Sequence, residues 1–282
     1  MLDAAYEKVN AAVQDTTIER MVILSPADAL PFVKKQLYRS TKRVRIQEDE
    51  KCKTWKTFIQ EGINQEIEDT PYQENECCVI VHTGGTTGNP KGVMLSNDNL
   101  NQSAFQGINC SIDMQRKHNW LNIMPPFIAY GIGVGLHLPL MIGMKVILIP
   151  AFKPEEFAEL LVKYRPIHMV GVPSHYENII NSRLLRDMDL SFIIAPTVGG
   201  DGMPADLEEA VNRFLAEHGC TYKVVKGYGL TEISAEASVC VSNECNKIGS
   251  VGVPCSHTIV SVFDPETGEE LTYGQCGEIC IS

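Results

Sequence analysis

The chain contains no apolar run near the roughly 20 residues that a bilayer-spanning helix needs, and no basic segment followed by an apolar one at its start. These absences predict a cytoplasmic protein with no transmembrane segment. Positive charge is also scarce. Twenty-four Lys and Arg stand against 35 Asp and Glu, a formal charge of −11. That balance argues against nucleic acid or an anionic membrane as the main partner, so an anionic ligand has to be held by local chemistry. No Cys-x-x-Cys pair occurs among the ten cysteines, and the close spacings Cys240/Cys245 and Cys276/Cys280 come without a neighbouring histidine, which speaks against a zinc site. Scattered through apolar stretches of a chain this long, the cysteines read as reduced, buried thiols rather than staples. A Gly-x-Ser-x-Gly elbow is missing, and the histidines at 82, 137, 168 and 175 belong to no recognisable triad, so the serine-hydrolase class is disfavoured. Repeats and low-complexity tracts are absent as well.

What is present can build a large core: 282 residues, 44% of them hydrophobic, suit one large domain or two subdomains. Short β-branched runs at 21–25, 77–82, 120–124, 145–149, 168–172, 192–195 and 222–225 alternate with helical patterns. Such alternation predicts an α/β fold of parallel sheets layered with helices. Helices are expected over 154–164, where Phe157, Leu160 and Leu161 share a face, and over 205–218, where Leu207, Val211 and Phe214 do. Pro154 and Pro204 stand near their starts, where a missing N–H costs little. Residues 37–56, with Lys42, Arg43, Arg45, Glu48, Asp49, Glu50, Lys51 and Lys53, read as a solvated connector. From Asn246 the pattern changes to strands at 250–253, 258–263 and 277–281 joined by turns such as 264–268. The expected organisation is therefore a core over 1–245 and a β-rich tail over 246–282.

One decapeptide follows the apolar run at 77–81: Thr83-Gly84-Gly85-Thr86-Thr87-Gly88-Asn89-Pro90-Lys91-Gly92. Four glycines let the backbone approach a ligand and turn its N–H groups toward anionic oxygens, while three threonines and a lysine add donors. A nucleoside-triphosphatase loop would place Ser or Thr directly after the lysine, and here Gly92 stands there. The order instead resembles the signature loop of the adenylate-forming (AMP-binding) superfamily, most like acyl-CoA synthetases and long-chain fatty acid:CoA ligases. The likeness extends into Val93–Leu100, where relatives often carry His at the place of Asn97, and where a strand ends in residues able to cap a helix. Gly227-Tyr228-Gly229-Leu230-Thr231-Glu232 resembles a second motif of that superfamily.

The resemblance implies roles. The loop amides and hydroxyls with Lys91 would hold the β- and γ-phosphates of ATP, Tyr228 would stack on adenine, and Thr231 would donate to the α-phosphate. Glu232 would hold magnesium. Gly199-Gly200-Asp201 resembles the glycine turn that lines the adenine and acyl pocket through backbone groups. Pro125-Pro126-Phe127-Ile128-Ala129-Tyr130-Gly131 resembles a segment that commonly carries histidine where Ile128 stands, and residues 168–174, with Gly171 and Val172, resemble a wall of the acyl pocket. No acidic residue occurs from 125 to 143, which disfavours an amino acid as substrate. The implied activity is ATP-dependent activation of a carboxylic acid, expected to be fatty or otherwise apolar, to acyl-AMP, with transfer to coenzyme A. An aryl-CoA ligase, a peptide-synthetase module and a non-catalytic nucleotide-binding protein are the alternatives. Full members of the superfamily continue past a Gly-Glu-Ile strand like Gly277-Glu278-Ile279 into a Thr-Gly-Asp motif and a small C-terminal domain. The expectation is that this chain is an internal part of the large N-terminal domain and lacks activity alone.

Overall fold

The computed structural model describes residues 1–41, 46–66, 68–83, 89–109, 113–149 and 153–282. These divide into two units, Met1–Tyr72 and Gln73–Ser282. In the first unit, β1 (Met21–Ile23) pairs in parallel with β2 (Cys52–Thr54), beside helices α1 (Tyr6–Ala12), α2 (Phe32–Thr41) and α3 (Trp55–Gly62). Tyr6, Val13, Met21, Ile23 and Cys52 form its small core. The expected connector over 37–56 is thus only partly a connector. Cys52, at 2% exposure, anchors a strand, and Asp49 Oδ1 turns the chain into it by accepting from the N–H groups of Lys51 at 2.9 Å and Cys52 at 2.7 Å. Lys42, Arg43 and Arg45 lie outside the described residues.

The second unit begins with β3 (Cys77–His82), which pairs antiparallel with β4 (Gly92–Ser96) and leads into α4 (Asn97–Asn109). Ser96 and Asn99 hold that junction by reciprocal bonds: Asn99 N–H donates to Ser96 Oγ at 3.2 Å and Ser96 N–H to Asn99 Oδ1 at 2.9 Å. Next come β5 (Asn119–Asn122), a π-helical segment (Tyr130–His137), α5 (Leu138–Ile142), β6 (Lys145–Leu148), α6 (Phe157–Tyr164), β7 (His168–Gly171) and α7 (Pro173–Asn181). The remaining elements are β8 (Ala195–Val198), α8 (Ala205–Glu217), β9 (Val225–Tyr228), β10 (Ser238–Val239), β11 (Val253–Pro254), β12 (Val260–Phe263) and β13 (Glu278–Ile281). A seven-stranded sheet runs β11-β10-β9-β8-β7-β5-β6, parallel from β9 to β6 and antiparallel at β10 and β11. Beyond residue 246, β11 joins this sheet while β12 and β13 form a separate antiparallel pair.

Every residue of β7 and β8 is buried, as parallel strands covered on both faces require. Helix α6 buries Phe157, Ala158 and Leu161; α8 buries Val211 and Leu215, with Leu207 and Phe214 at the margin of the same face. Two strands start three residues later than the apolar runs suggested. Ile193 is buried, yet its N–H closes a turn onto Leu190 O at 3.0 Å; Lys223 and Val224 donate to the side-chain amides of Asn243 and Asn212 at 2.9 and 2.8 Å. Apolar character there marks burial, and pairing begins only where a neighbouring strand is in reach. The described cysteines are free; Cys52, Cys220, Cys240 and Cys255 are buried, whereas Cys77, Cys78, Cys245, Cys276 and Cys280 are exposed, four of them on or beside β3 and β13.

A buried ion pair fixes β9. Lys226 Nζ donates to Glu208 Oε1 on α8 and to Lys247 O at 2.7 Å, and Glu208 Oε2 accepts from Gly249 N–H at 3.1 Å. Replacing Lys226 with Met leaves a carboxylate buried without its cation and is expected to lower stability by about 3–5 kcal/mol, whereas Lys226→Met with Glu208→Leu recovers most of the loss. Urea midpoints of the two variants check this.

Candidate functional site

The segment joining β9 to β10 is short and crowded, and its backbone conformation sets the site. Ser234 and Ala235 both take positive φ, +65° and +131°, which side-chain-bearing residues adopt only under constraint. The constraint is visible. A methyl group at Gly229 would sit 1.3 Å from Ala235 O, and one at Gly133 would sit 2.8 Å from Ser234 O, so glycine at both places lets the loop nest between β9 and the π-helical segment. Ser103 Oγ on α4 donates to Ser234 O at 3.2 Å, and Ala237 N–H returns the chain to Tyr228 O at 2.8 Å.

The π-helical segment is held to the sheet in a similar way. Gly131 abuts Pro125 O, which a methyl group would meet at 1.8 Å, and Gly135 packs on Asn122 at the end of β5. Tyr130, at the start of this segment, donates to Gly171 O at 3.3 Å, the same carbonyl that accepts from Gly199 N–H at 3.1 Å. Its ring therefore lies along the Gly199-Gly200 turn. Gly200 has φ +77°, a conformation that glycine takes freely.

Together these elements enclose a cavity of about 300 Å³, within the range of small-molecule sites, lined by His82, Ile128, Ala129, Tyr130, Val134, residues 197–200, residues 227–231, Ala235 and Glu236. Of the expected site residues, Ile128, Tyr130, Gly199, Gly200, Gly227, Tyr228, Gly229 and Thr231 line it. Gly171 and Val172 stand behind Tyr130 and the Gly200 turn; Gly131 serves the packing on Pro125. Phe127 is 73% exposed and lines no wall of the cavity. Asp201 is exposed and accepts from Gly202 N–H at 2.8 Å through Oδ1. Glu232 is exposed, directly after Thr231, and makes no hydrogen bond or ion pair among the described residues. Thr83 and Lys91 close the foot of the β3–β4 connection: Thr83 N–H donates to Lys91 O at 2.9 Å and Lys91 N–H to Thr83 Oγ1 at 3.1 Å. Gly84, Gly85, Thr86, Thr87 and Gly88 lie outside the described residues. Strand β4 packs beside the turn Thr231–Ile233, so the foot of the glycine-rich loop and the second motif share a neighbourhood.

Sequence reasoning missed Glu236. It is half-buried, it has no hydrogen-bond partner among the described residues, and burial pushes its carboxyl up to about 7. Burial, with the charge of Glu236 beside it, also pushes the Tyr130 phenol far above its ordinary range. The available signal was one acid within the otherwise uncharged run Ile233-Ser234-Ala235-Glu236-Ala237-Ser238-Val239. Two other groups of the wall, His82 and Thr197, come from strand ends whose pointing direction no motif announces.

A model of the AMP-binding enzyme family matches residues 2–282. The chain belongs to the AMP-binding enzyme family. A long-chain-fatty-acid–CoA ligase of Bacillus subtilis is 29% identical over 286 residues, covering 99% of this chain and 50% of that protein. A feruloyl-CoA synthase of an Amycolatopsis species is 32% identical over 223 residues, covering 79% of this chain and 44% of that protein. Among solved structures, a long-chain-fatty-acid-CoA ligase of Archaeoglobus fulgidus superposes with a TM-score of 0.73 at 22% identity, over 98% of this chain and 55% of that one, which shows the AMP-binding enzyme fold. The chain spans about half the length of the relatives it matches. Among the described residues no helix is long and apolar enough to cross a membrane, and no group of three or more His, Cys, Asp or Glu is placed to hold a metal.

The raised Glu236 carboxyl has a consequence for folding. Its ordinary value is 4.5 and its folded value about 7, so between these the folded chain holds a proton that the unfolded chain has released, and stability falls as pH rises through that window. Urea midpoints measured across it are expected to show a downward contribution in the wild type that is lost in Glu236→Gln.

Proposed function

We propose that the protein carrying this chain activates a carboxylic acid with ATP and passes the acyl group to coenzyme A. In the first step a carboxylate oxygen attacks the α-phosphorus, the α–β P–O bond breaks, and pyrophosphate leaves. In the second the thiolate of coenzyme A attacks the acyl carbonyl, forming the thioester and releasing AMP. One observation carries the reading: the Gly199-Gly200 turn and the Tyr228–Thr231 stretch of the second motif line a single cavity, beside the strand that leaves the glycine-rich loop. Relatives described as fatty-acid, coumarate and feruloyl CoA ligases support the same chemistry.

The chain's own groups divide the work. Tyr228 offers a half-buried ring for a purine, and Thr231 a hydroxyl for the α-phosphate. Backbone N–H groups of Gly84, Gly85, Thr86, Thr87 and Gly88, with Lys91, serve the outer phosphates. Thr83 keeps a free role for its O–H, since its oxygen accepts from Lys91 N–H and a hydroxyl still has its proton to donate. Glu232 is an exposed hard carboxylate without a partner among the described residues, and it would hold magnesium brought with ATP. Bound there, magnesium neutralises phosphate charge. Gly199, Gly200, Gly227 and Gly229 keep side chains out of the space that the nucleotide and acid need. Ile128, Tyr130, Val134 and Val198 give the acid an apolar surface, which suits a fatty acid. An aryl acid is the second reading, supported by the relatives described as coumarate and feruloyl CoA ligases.

Glu232→Gln in the intact protein is expected to lower acid-dependent ATP–pyrophosphate exchange about tenfold or more, because metal-assisted charge stabilisation is worth several kcal/mol. Exchange at the wild-type rate would remove Glu232 from the metal-holding role.

A further inference from the structure

On the reading above, the main cavity receives an acid and a nucleotide, both anionic, yet among the described residues no Lys or Arg lines it. The one basic side chain of the described wall is His82, and the one acidic side chain is Glu236. His82 ends β3 directly before Thr83, is exposed, and has no hydrogen bond or ion pair among the described residues. Gly92, its partner across the hairpin, puts no side chain over the ring. The imidazole is therefore available. Other hydrogen-bonding side chains of the wall are engaged or already assigned. Tyr130 donates to Gly171 O at 3.3 Å and Thr197 to Ala195 O at 3.5 Å, while Tyr228 and Thr231 serve the nucleotide on the same reading.

A carboxylate brought against an apolar wall loses water, and without a donor that loss is costly. Ile128, Ala129, Val134 and Val198 offer no donor, and the carboxyl of Glu236 would repel it when ionised. An imidazole donates an N–H whether it is neutral or charged. Resting on the acid-activation reading above, we infer that His82 binds the carboxylate of the acid at the edge of the glycine-rich loop. The imidazole N–H donates to one carboxylate oxygen and leaves the other to attack the α-phosphorus. His82 stands one residue before the loop, so the carboxylate is held at the boundary between acid and triphosphate, where the new P–O bond forms. The imidazole gains and loses no proton in this step; it binds and orients.

The test measures equilibrium binding by calorimetry to the intact protein, using two acids and their primary amides, hexanoate with hexanamide and phenylpropanoate with phenylpropanamide. Each is titrated in the presence of α,β-methylene ATP, which cannot react. At least one acid is expected to bind the wild type more tightly than its amide does. His82→Phe, which keeps a ring and removes both nitrogens, is expected to cut that preference about tenfold or more, the least that a hydrogen bond to a charged group contributes. Affinity for α,β-methylene ATP alone is expected to stay unchanged. His82→Gln, which keeps an N–H donor, is expected to recover part of the preference, and His82→Ala stands in for the phenylalanine variant should that one not fold. No preference for either acid over its amide in the wild type, a preference that survives removal of the imidazole, or a loss of nucleotide affinity as large as the loss of acid affinity would overturn the inference. Pyrophosphate exchange with the same acids separates the two readings. An acid preference that depends on His82 without exchange removes the activation step and leaves the His82 assignment standing, while exchange with no such dependence does the reverse.

Discussion

The site depends on one steric constraint, the close approach of backbone to backbone around the loop between β9 and β10. Ala235 O lies where a side chain on Gly229 would be, and Ser234 O where one on Gly133 would be. Any Cβ at these two places forces the loop outward. With the loop seated, Ser234 and Ala235 are held at positive φ, Ala237 rejoins Tyr228, and Glu236 is directed inward between the π-helical segment and the sheet. The cavity is therefore a product of main-chain packing more than of side-chain choice. A rigid boundary of this kind suits a site that has to hold two anions in fixed relation, because misplacement by a fraction of an ångström weakens every hydrogen bond that crosses it.

The sheet reinforces the same boundary from the other side. Five parallel strands bring residues from distant parts of the sequence to one edge, so that the turn after β8, the end of β9 and the segment after β5 meet although they lie far apart along the chain. Gly171 O shows how closely these parts are tied, since it accepts both the Tyr130 hydroxyl and the Gly199 N–H. That carbonyl joins the ends of β7 and β8 to the π-helical segment. Moving any one of the three would break a bond at another.

Much of this was legible in the sequence, for identifiable reasons. Glycine, threonine and lysine follow the run at 77–81 in a density that a plain turn does not need, so residues 83–92 stand out, and Gly199-Gly200 and Gly227-Tyr228-Gly229 stand out as closely spaced glycines after apolar runs. The parallel sheet was legible because strands covered on both faces read as near-continuous apolar runs set between helical patterns. Strand starts were not. Phe192, Ile193, Tyr222 and Val224 are apolar because they are packed, while the N–H of Ile193 goes to a turn and that of Val224 to a side-chain amide instead of a ladder. The separate contributions of β11, β12 and β13 were hidden for a related reason: a short strand reads alike whichever sheet it joins. Phe127 was misleading in the opposite sense, an aromatic beside the cavity segment whose ring faces solvent.

Two glutamates in this chain show how a structural carboxyl differs from one available for chemistry. Glu208 is fully buried and fully used: one oxygen meets Lys226, the other Gly249 N–H, and Lys226 in turn caps Lys247 O. Every lone pair directed inward has a partner, so the group contributes rigidity and offers nothing to a ligand. Glu236 is less deeply covered, yet none of its oxygens has a partner among the described residues, and the Tyr130 hydroxyl that could have served it donates instead to Gly171. A protein interior selects against such a group, since an alanine or valine would fill the same wall without the desolvation penalty. Its cost is repaid only if something from outside the chain completes it. Gly107 is consistent with that requirement, since a methyl group there would come within 3.2 Å of both Oε2 and the Leu138 side chain.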